Sequence, residues 1–226
     1  MYTLIVEKEL TQRKKVYIMK LAVIGANGRV GSLIVKEAMS RNIVVKGIAR
    51  SLVKDATESL EKDAMSITLD DIKDCDVVVD ALGFWEDKDL HFHTETLRHF
   101  TDILADSNIR LYVVGGAGSL YLNKEHTMQV KDGEDFPEMF KPLATAQGKQ
   151  LEELRNVNNV DWTYVSPAGD FQADGEKTEK YILSGEELTL NDKGESIISY
   201  ADYAVAMIDL IENGGHVKER VSVVRK

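Results

Sequence analysis

The sequence has one cysteine, Cys75, and no hydrophobic run near the roughly 18 residues that a membrane-spanning helix needs. A single cysteine excludes an internal disulfide framework and a thiolate metal cluster. Acidic residues outnumber basic ones by 38 to 28, and the net charge of −10 argues against nucleic-acid and anionic-membrane partners. No secretory signal is recognisable, so we expect a cytoplasmic protein without a membrane partner.

Two catalytic patterns are also missing. His91, Glu95 and His99 would share one face of a helix, but the metalloprotease pattern HExxH is absent and no third ligand is convincing, so no metal site is predicted. The nucleophile elbow G-x-S-x-G is absent around Ser119 and Ser166. Internal repeats and low-complexity tracts are absent as well. These absences leave the glycine-rich start of the chain as the strongest functional signal.

The stretch KLAVIGANGRVG at 20–31 joins a short apolar run to three glycines spaced three residues apart. The apolar run is typical of a buried parallel strand, and the apolar positions that follow the glycines indicate a helix. In such a turn Gly25 lets the chain leave the strand sharply, Gly28 lets backbone approach a pyrophosphate, and Gly31 lets the helix pack on the sheet. The helix N-terminus then offers free N–H groups to phosphates. We therefore predict dinucleotide binding by Gly25, Asn27, Gly28, Arg29, Val30 and Gly31.

Strand and helix patterns alternate along the remaining chain, which is 226 residues long and 43% hydrophobic. The predicted strands are 20–25, 43–48, 65–68, 76–82, 110–115 and 161–166, and the predicted helices are 29–41, 51–60, 91–107, 143–157 and 201–212. This alternation predicts an α/β fold, a Rossmann-type doubly wound parallel sheet. Residues 120–142 read as a long loop, and 170–200 as a small C-terminal lobe facing the substrate. We expect one domain over 19–226, with 1–18 as an extension that is either appended upstream of Met19 or a genuine element.

Arginines indicate which dinucleotide is preferred. The second predicted strand ends at Arg50, and the glycine loop carries Arg29. An arginine at this place suits the 2′-phosphate of NADP, whereas an acidic residue would suit the ribose of NAD, so NADPH is expected over NADH. Asp70 and Asp71 follow the third predicted strand. One of them could meet the adenine amino group, or they could begin a helix as N-terminal capping residues.

Several segments together resemble a known family. They are GANGRVG (25–31), DVVVDALG (76–83), VVGGAGSL (113–120), QGKQLEELR (147–155), DWTYVSPAGDFQADG (161–175) and ISYADYAVAMID (198–209). The chain resembles the atypical short-chain dehydrogenase/reductases of the NAD(P)H-binding, NmrA-like kind. Within these it is similar to the NADH-flavin reductase group related to biliverdin/flavin reductase B. The resemblance covers about 19–226, and VVGGAGSL with WTYVSPAGDFQ is its most specific part.

The chain departs from ordinary short-chain dehydrogenases at their catalytic residues. Those enzymes use a serine, and a tyrosine four residues before a lysine, whose ammonium lowers the pKa of the phenol. Here the fifth predicted strand ends in Gly115-Gly116-Ala117, so the serine is missing, and Thr145 stands four residues before Lys149. A threonine hydroxyl is too weak an acid to replace a phenol. Lys149 is left either as a ribose-binding group or as an exposed helix lysine.

Flavin reduction needs no such triad, because the protein then only has to stack and orient two rings. The resemblance implies that Pro167, Ala168 and Gly169 line the nicotinamide, and it makes His93 and Lys149 the candidate catalytic residues. Phe84, Trp85 and Phe171 would cover the acceptor, although each could equally pack in the core. The further predicted cofactor-binding residues are Arg50, Asp70, Ala81, Leu82, Gly83, Gly115 and Lys149.

The sequence therefore predicts an NADPH-dependent reductase acting on a small-molecule acceptor, with a flavin as the leading candidate. A dinucleotide-sensing regulator that binds NAD(P) without turning it over is the alternative from another class, because the missing serine and tyrosine fit both. A nucleotide-sugar epimerase or dehydratase is a weaker alternative, since it needs the tyrosine.

Overall fold

A large sheet forms the centre of the structure, a computed structural model that describes residues 18–226. In chain order the strands are β1 (Lys20–Ile24), β2 (Val44–Ala49), β3 (Glu58–Glu61), β4 (Val77–Asp80), β5 (Arg110–Val114), β6 (Trp162–Pro167), β7 (Asp170–Gln172), β8 (Tyr181–Ser184), β9 (Ile197–Ser199) and β10 (Glu219–Arg225). The α-helices are α1 (Arg29–Ser40), α2 (Leu69–Ile72), α3 (Phe92–Leu104), α4 (Lys141–Leu154) and α5 (Tyr200–Asn213).

The strand order of the eight-stranded sheet is β3-β2-β1-β4-β5-β6-β10-β8. All neighbours pair in parallel except β10 and β8, which pair antiparallel, while β7 and β9 form a separate parallel pair. The order reverses between β1 and β4, and ligands of such sheets bind outside the carboxyl ends of the strands at this point. The predicted Rossmann-type doubly wound fold is therefore confirmed.

Helices cover both faces of the sheet because successive side chains of each strand point to opposite faces. On one face Leu21 and Val23 pack with α1 and α5 through residues such as Ile34 and Met207. On the other face Ala22, Ile24, Val78 and Val113 pack with α3 and α4 through Leu97, Phe100, Leu151 and Leu154. These residues are buried almost completely, and each large side chain contributes about 1.5–3 kcal/mol of transfer free energy.

Two predicted elements are wrong. The expected helix over 51–60 is a turn followed by β3 at Glu58–Glu61, and the expected strand over 65–68 is a 3-10 turn at Ala64–Ser66 and the loop after it. The strand ESLE lies at the edge of the sheet and is mostly exposed, so it lacks the apolar run that marks a central strand. Ile67 is buried without belonging to a strand, which explains the false signal at 65–68.

The strands and helices predicted elsewhere occur within a few residues of their expected bounds, but the sequence prediction omitted β7, β8, β9 and β10. The segment 120–142 holds two 3-10 turns, Val130–Asp132 and Glu138–Phe140, before α4 begins at Lys141. Residues 1–17 of the predicted extension lie outside the described residues. None of the described helices combines the length and apolar character needed to cross a membrane.

Candidate functional site

The glycine turn after β1 lies at the point where the strand order reverses. Gly25 has a φ of +80°, which favours glycine, and a Cβ there would lie 2.8 Å from the carbonyl oxygen of Ala81. A Cβ at Gly31 would lie 2.3 Å from the carbonyl oxygen of Gly25, so the first turn of α1 can pack here only without a side chain. These two glycines therefore shape the turn itself.

The N-terminus of α1, Gly28 to Val30, lines a cavity. Gly28 is the N-cap residue, and no side chain caps this helix within the described chain. The free N–H groups of a first helical turn, together with the helix dipole, favour an anion such as a phosphate. The sequence-predicted role of the glycine loop thus has the local geometry that it requires.

A cavity of about 480 Å³ extends from this helix end across the carboxyl ends of β4, β5 and β6. The segments 81–83, 114–118 and 167–171 contribute much of its lining. Among the residues predicted from the sequence, it brings together Gly28, Arg29, Val30, Ala81, Leu82, Gly83, Trp85, Gly115, Pro167, Ala168, Gly169 and Phe171. The structure therefore joins the glycine loop, the ends of three strands and two predicted aromatic residues in one cavity.

Aromatic side chains form much of the cavity wall. Besides Trp85 and Phe171, the cavity is lined by Phe136, Phe140 and Tyr200. Phe171 packs on the Tyr200 ring at a centroid distance of 4.1 Å. Phe136 and Phe140 come from the irregular segment before α4, where no periodic pattern marked them as site residues. The two prolines of this segment, Pro137 and Pro142, were the sequence signal that could have drawn attention to it.

Arg29 and Asp170 are the charged residues that line this cavity. The Arg29 guanidinium lies 5.7 Å from the centroids of both the Trp85 and Tyr200 rings, a distance suited to cation–π attraction. Arg50 is exposed just after β2, and no hydrogen bond or ion pair to its side chain is formed within residues 18–226. In this structure the Arg29 guanidinium is directed to the aromatic wall, and Arg50 does not share that cavity.

Asn27 lies at a second, smaller cavity beside the glycine loop. Its Nδ2 donates hydrogen bonds to the carbonyl oxygens of Ser51 and Leu52, at 3.0 and 3.2 Å, which ties the loop to the segment after β2. The cavity has a volume of about 260 Å³, and Ser32 and Lys54 also line it. Lys54 was not predicted from the sequence, although it follows Arg50 by four residues and is a further cation near the glycine loop.

Asp70 was predicted to bind the cofactor because it would follow the third strand. That strand does not lie at its predicted position. Asp70 is exposed in α2 and pairs with Lys73 at 3.0 Å. Asp71 forms a capping box with Thr68, and its hydrogen bond from Lys62 holds the pKa of the Asp71 carboxyl down at about 2. The alternative helix-capping interpretation is thus the one that Asp71 fulfils. The acidic residue closest after β3 is Asp63, whose carboxylate accepts a hydrogen bond from the Met65 backbone N–H.

Lys149 and Thr145 both lie on α4 as exposed residues, outside the lining of the large cavity. The helix lines the cavity with Ala144 and Gln147 instead. The pair that replaces the tyrosine and lysine of ordinary short-chain dehydrogenases is therefore not directed at the site.

His93 and Phe84 lie behind the cavity wall. His93 is buried, its Nε2 is 3.2 Å from the carbonyl oxygen of Phe84, and its own carbonyl accepts a hydrogen bond from Gln150. Burial lowers the pKa of the His93 imidazole, which favours the neutral ring. The Phe84 ring meets the His93 ring edge-on at 5.2 Å. Both residues hold the segment that carries Trp85, and neither lines the cavity.

No group of three or more histidine, cysteine, aspartate or glutamate side chains with the arrangement of a metal site occurs within the part of the chain that the structure describes. Fold and site together define a Rossmann-type protein with a cavity at the carboxyl ends of its parallel strands. The profile of the NAD(P)H-binding family matches residues 25–214, and the chain belongs to that family.

Comparison with known proteins supports this assignment. A Streptococcus pneumoniae protein whose crystal structure is described as that of a "putative NADH-flavin reductase" is 49% identical, with a TM-score of 0.90 over 92% of this chain and 100% of that one. The uncharacterised protein YwnB of Bacillus subtilis is 40% identical over 91% of this chain and 98% of its own length. A Bacteroides thetaiotaomicron structure described as a "putative epimerase" is 28% identical, with a TM-score of 0.80 over 92% of this chain and 98% of that one.

Proposed function

We propose that this protein is an NADPH-dependent reductase that passes a hydride to a flavin or a similar planar acceptor. The observation that carries the proposal is the single cavity that joins the N-terminus of α1 to an aromatic wall. Its lining combines the uncapped N-terminus of α1, which would bind phosphates, with the aromatic residues Trp85, Phe140 and Phe171, which would stack on a planar acceptor. The name of the 49% identical streptococcal protein supports the same choice of reaction.

The backbone would hold the cofactor. The N–H groups at the start of α1 would bind the pyrophosphate, and the backbone of 167–169 would lie against the nicotinamide. A bound reduced nicotinamide supplies two electrons and one proton together, as a hydride. The fit is supported by the bare helix N-terminus and by glycines whose replacement would close the turn.

To reduce a flavin, the site has to position the acceptor ring and needs no acid–base residue. Thr145 and Lys149 lie outside the cavity, and the charged groups that line it are Arg29 and Asp170. A flavin can receive a hydride without a protein proton donor, because solvent can supply the accompanying proton. The aromatic wall would hold the acceptor ring by stacking, and such orientation can lower the barrier by several kcal/mol.

A preference for NADPH is part of the proposal, and it depends on cations near the glycine loop. Arg50 follows β2, and Lys54 lines the second cavity together with Asn27, Ser32 and the acidic Asp55. Each charge-assisted contact to a 2′-phosphate would contribute about 1.5–3 kcal/mol. The streptococcal protein is named for NADH, so the test compares the two dinucleotides directly.

The proposal is tested by monitoring the oxidation of NADPH and of NADH by absorbance. Each dinucleotide is measured with FMN, riboflavin or a quinone as the acceptor, and without an acceptor as the blank. We expect acceptor-dependent oxidation above the blank, with NADPH faster at low concentration. Tight binding of either dinucleotide without turnover would instead support the sensing regulator. Failure to bind both dinucleotides would reject the reductase and the regulator together. A cytoplasmic location belongs to the same proposal and would be tested by fractionation.

A further inference from the structure

One polar side chain of the cavity lining has no role in the reductase as proposed above. Gln147 lines the cavity from α4, together with Leu143 and Ala144 of the same helix and Phe140 just before it. Spacings of three and four residues place these positions on one face of a helix. This face is apolar except at Gln147, so a single amide group stands among apolar and aromatic side chains.

The backbone of Gln147 is fixed by the buried hydroxyl of Tyr164. That hydroxyl donates a hydrogen bond to the Gln147 carbonyl at 3.2 Å and accepts one from the Gly116 backbone N–H. The bridge ties one turn of α4 to the end of β5. The side-chain amide of Gln147 then lies against Gly116, in the space that a Cβ at this glycine would need. Gln147 is therefore held in place on a helix that packs against the end of a strand.

The amide of Gln147 is available to a ligand. The side chain is half-buried, and within residues 18–226 it forms no hydrogen bond. The charged residues of the cavity are already engaged, because Arg29 lies against two aromatic rings and Asp170 accepts a hydrogen bond from Gln172 at 2.9 Å. A carboxamide carries an acceptor oxygen beside two donor N–H groups. Gln147 thus presents a donor and an acceptor side by side to the cavity.

We propose that Gln147 determines acceptor specificity by recognising a ring edge that carries an N–H group next to a carbonyl, as the imide edge of a flavin does. The proposal rests on the proposed function, which assigns the acceptor to this cavity. The Gln147 oxygen would accept the ring N–H, and its amide N–H would donate to the neighbouring carbonyl. An acceptor that lacks one of these groups leaves part of the amide unpaired and binds more weakly.

This recognition separates two classes of planar acceptor. Flavins and other rings with an imide or cyclic amide edge offer both the N–H and the carbonyl. Quinones offer carbonyl groups without the N–H, so they would form only half of the pattern. Stacking on the aromatic wall does not distinguish the two classes, because every planar ring has a face that can stack.

Lumiflavin and 3-methyllumiflavin are a matched pair of probes for this contact. They have the same ring system, and the methyl group of the second replaces the N–H that Gln147 would bind. Neither carries a ribityl chain or a phosphate, so binding of those groups elsewhere in the cavity does not enter the comparison. The ratio of their dissociation constants therefore reports the N–H contact.

Gln147→Met removes the amide and keeps an unbranched side chain that suits a helix. Glu152→Met is the matched control, because Glu152 is exposed on the same helix and lies outside the cavity lining. Comparing the two probes in both variants separates loss of the amide from the added bulk of the methyl group. Circular dichroism and thermal unfolding establish that each variant is folded.

Flavin fluorescence measures the two dissociation constants in the presence of NADP⁺, so this readout does not depend on turnover. We expect the native protein and Glu152→Met to bind lumiflavin about tenfold more tightly than 3-methyllumiflavin, and Gln147→Met to bind the two within about twofold of each other. NADP⁺ affinity, titrated separately, should be the same in all three proteins.

Equal ratios in the native protein and Gln147→Met would overturn the proposal, and so would a failure of both flavins to bind. A weaker affinity of Gln147→Met for NADP⁺ with an unchanged flavin ratio would also overturn it, because the amide would then serve the cofactor. A ratio that depends on Gln147 without any turnover of NADPH would uphold the recognition and refute the proposed reaction. Turnover of both flavins with a ratio that does not depend on Gln147 would do the reverse.

Discussion

The Tyr164 hydroxyl accepts a hydrogen bond from the backbone N–H of Gly116, 3.3 Å away, and it donates one to the carbonyl of Gln147. The ring of Tyr164 lies directly beneath the end of β5, where a Cβ at Gly115 would be 2.1 Å from Cε1 of the tyrosine. Packing against Tyr164 therefore leaves no room for a serine side chain at Gly115. Tyr164 occupies the space that a side chain at this strand end would need.

Gly115→Ser should consequently destabilise the protein rather than restore a dehydrogenase site. We expect a loss of about 1–3 kcal/mol in the free energy of unfolding, the usual cost of overpacking a core. Gly148→Ala is the control, because a Cβ there would make only an ordinary contact of 3.6 Å with Ser119, within a helix that favours alanine. Urea unfolding measures both. A native-like Gly115→Ser protein would show that Tyr164 can move aside.

The glycine loop provides a second test, because its glycines serve different purposes. A Cβ at Gly31 would lie 2.3 Å from the Gly25 carbonyl oxygen, whereas a Cβ at Gly28 would lie 3.0 Å from the same atom. We expect Gly31→Ala to reduce stability by about 2 kcal/mol or more. Gly28→Ala should cost less stability than Gly31→Ala and should weaken NADPH binding at least tenfold, because Gly28 lines the cavity at the uncapped end of α1. Unfolding curves and calorimetry distinguish the two; equal stability losses would contradict this division.

The turn formed by residues 25–31 could be predicted from the sequence for a local reason. Three glycines between an apolar strand and an apolar helix face specify a turn through contacts among residues 25–31, so the pattern carries its own geometry. The edge strand β3 lacks such a pattern, because its residues are mostly exposed and its conformation depends on pairing with β2.

Part of the aromatic wall of the cavity could not be predicted from the sequence either. Phe136 and Phe140 reach the cavity through an irregular segment, and nothing in their spacing indicates where that segment folds. Lys149 was expected from alignment with a helix position, but the face that α4 turns to the cavity depends on packing against α3. By contrast, the burial of Asp80 at the end of β4 could be predicted, since an acid that ends the run VVVD is buried if the strand is central.

Removing the cations near the glycine loop should reduce the preference for NADPH over NADH. We expect Lys54→Ala and Arg50→Ala each to weaken NADPH binding by about tenfold or more while changing NADH binding little, because only NADPH carries the 2′-phosphate. Lys73→Ala on α2 is the control cation, since it pairs with Asp70 away from both cavities. Calorimetric titration with both dinucleotides decides the matter. Equal native affinities for NADPH and NADH would remove the basis for the preference.

The buried carboxyl of Asp80, the last residue of β4, should make stability depend on pH. Burial raises the pKa of the Asp80 carboxyl in the folded protein to about 7, above its ordinary value of about 3.9, so folding favours the protonated form. The folded state therefore loses stability relative to Asp80→Asn as the pH rises from about 4, and the loss is complete above about pH 7, at most about 4 kcal/mol. Urea unfolding of both proteins across this range measures it. A pH-independent difference between them would show that Asp80 has a similar pKa when unfolded.

The last prediction concerns the reaction itself. If orientation supplies catalysis, Thr145→Ala and Lys149→Ala should leave the rate of FMN-dependent NADPH oxidation within about threefold of native, because neither residue lines the cavity. Trp85→Ala and Phe171→Ala should lower the rate by about tenfold or more, since each removes part of the aromatic wall that would hold the acceptor. Steady-state kinetics, with NADPH affinity measured separately, distinguishes loss of turnover from loss of binding. A collapse of turnover in Thr145→Ala with intact NADPH binding would show that a hydroxyl relay operates, and that α4 moves to bring Thr145 into the cavity during the reaction.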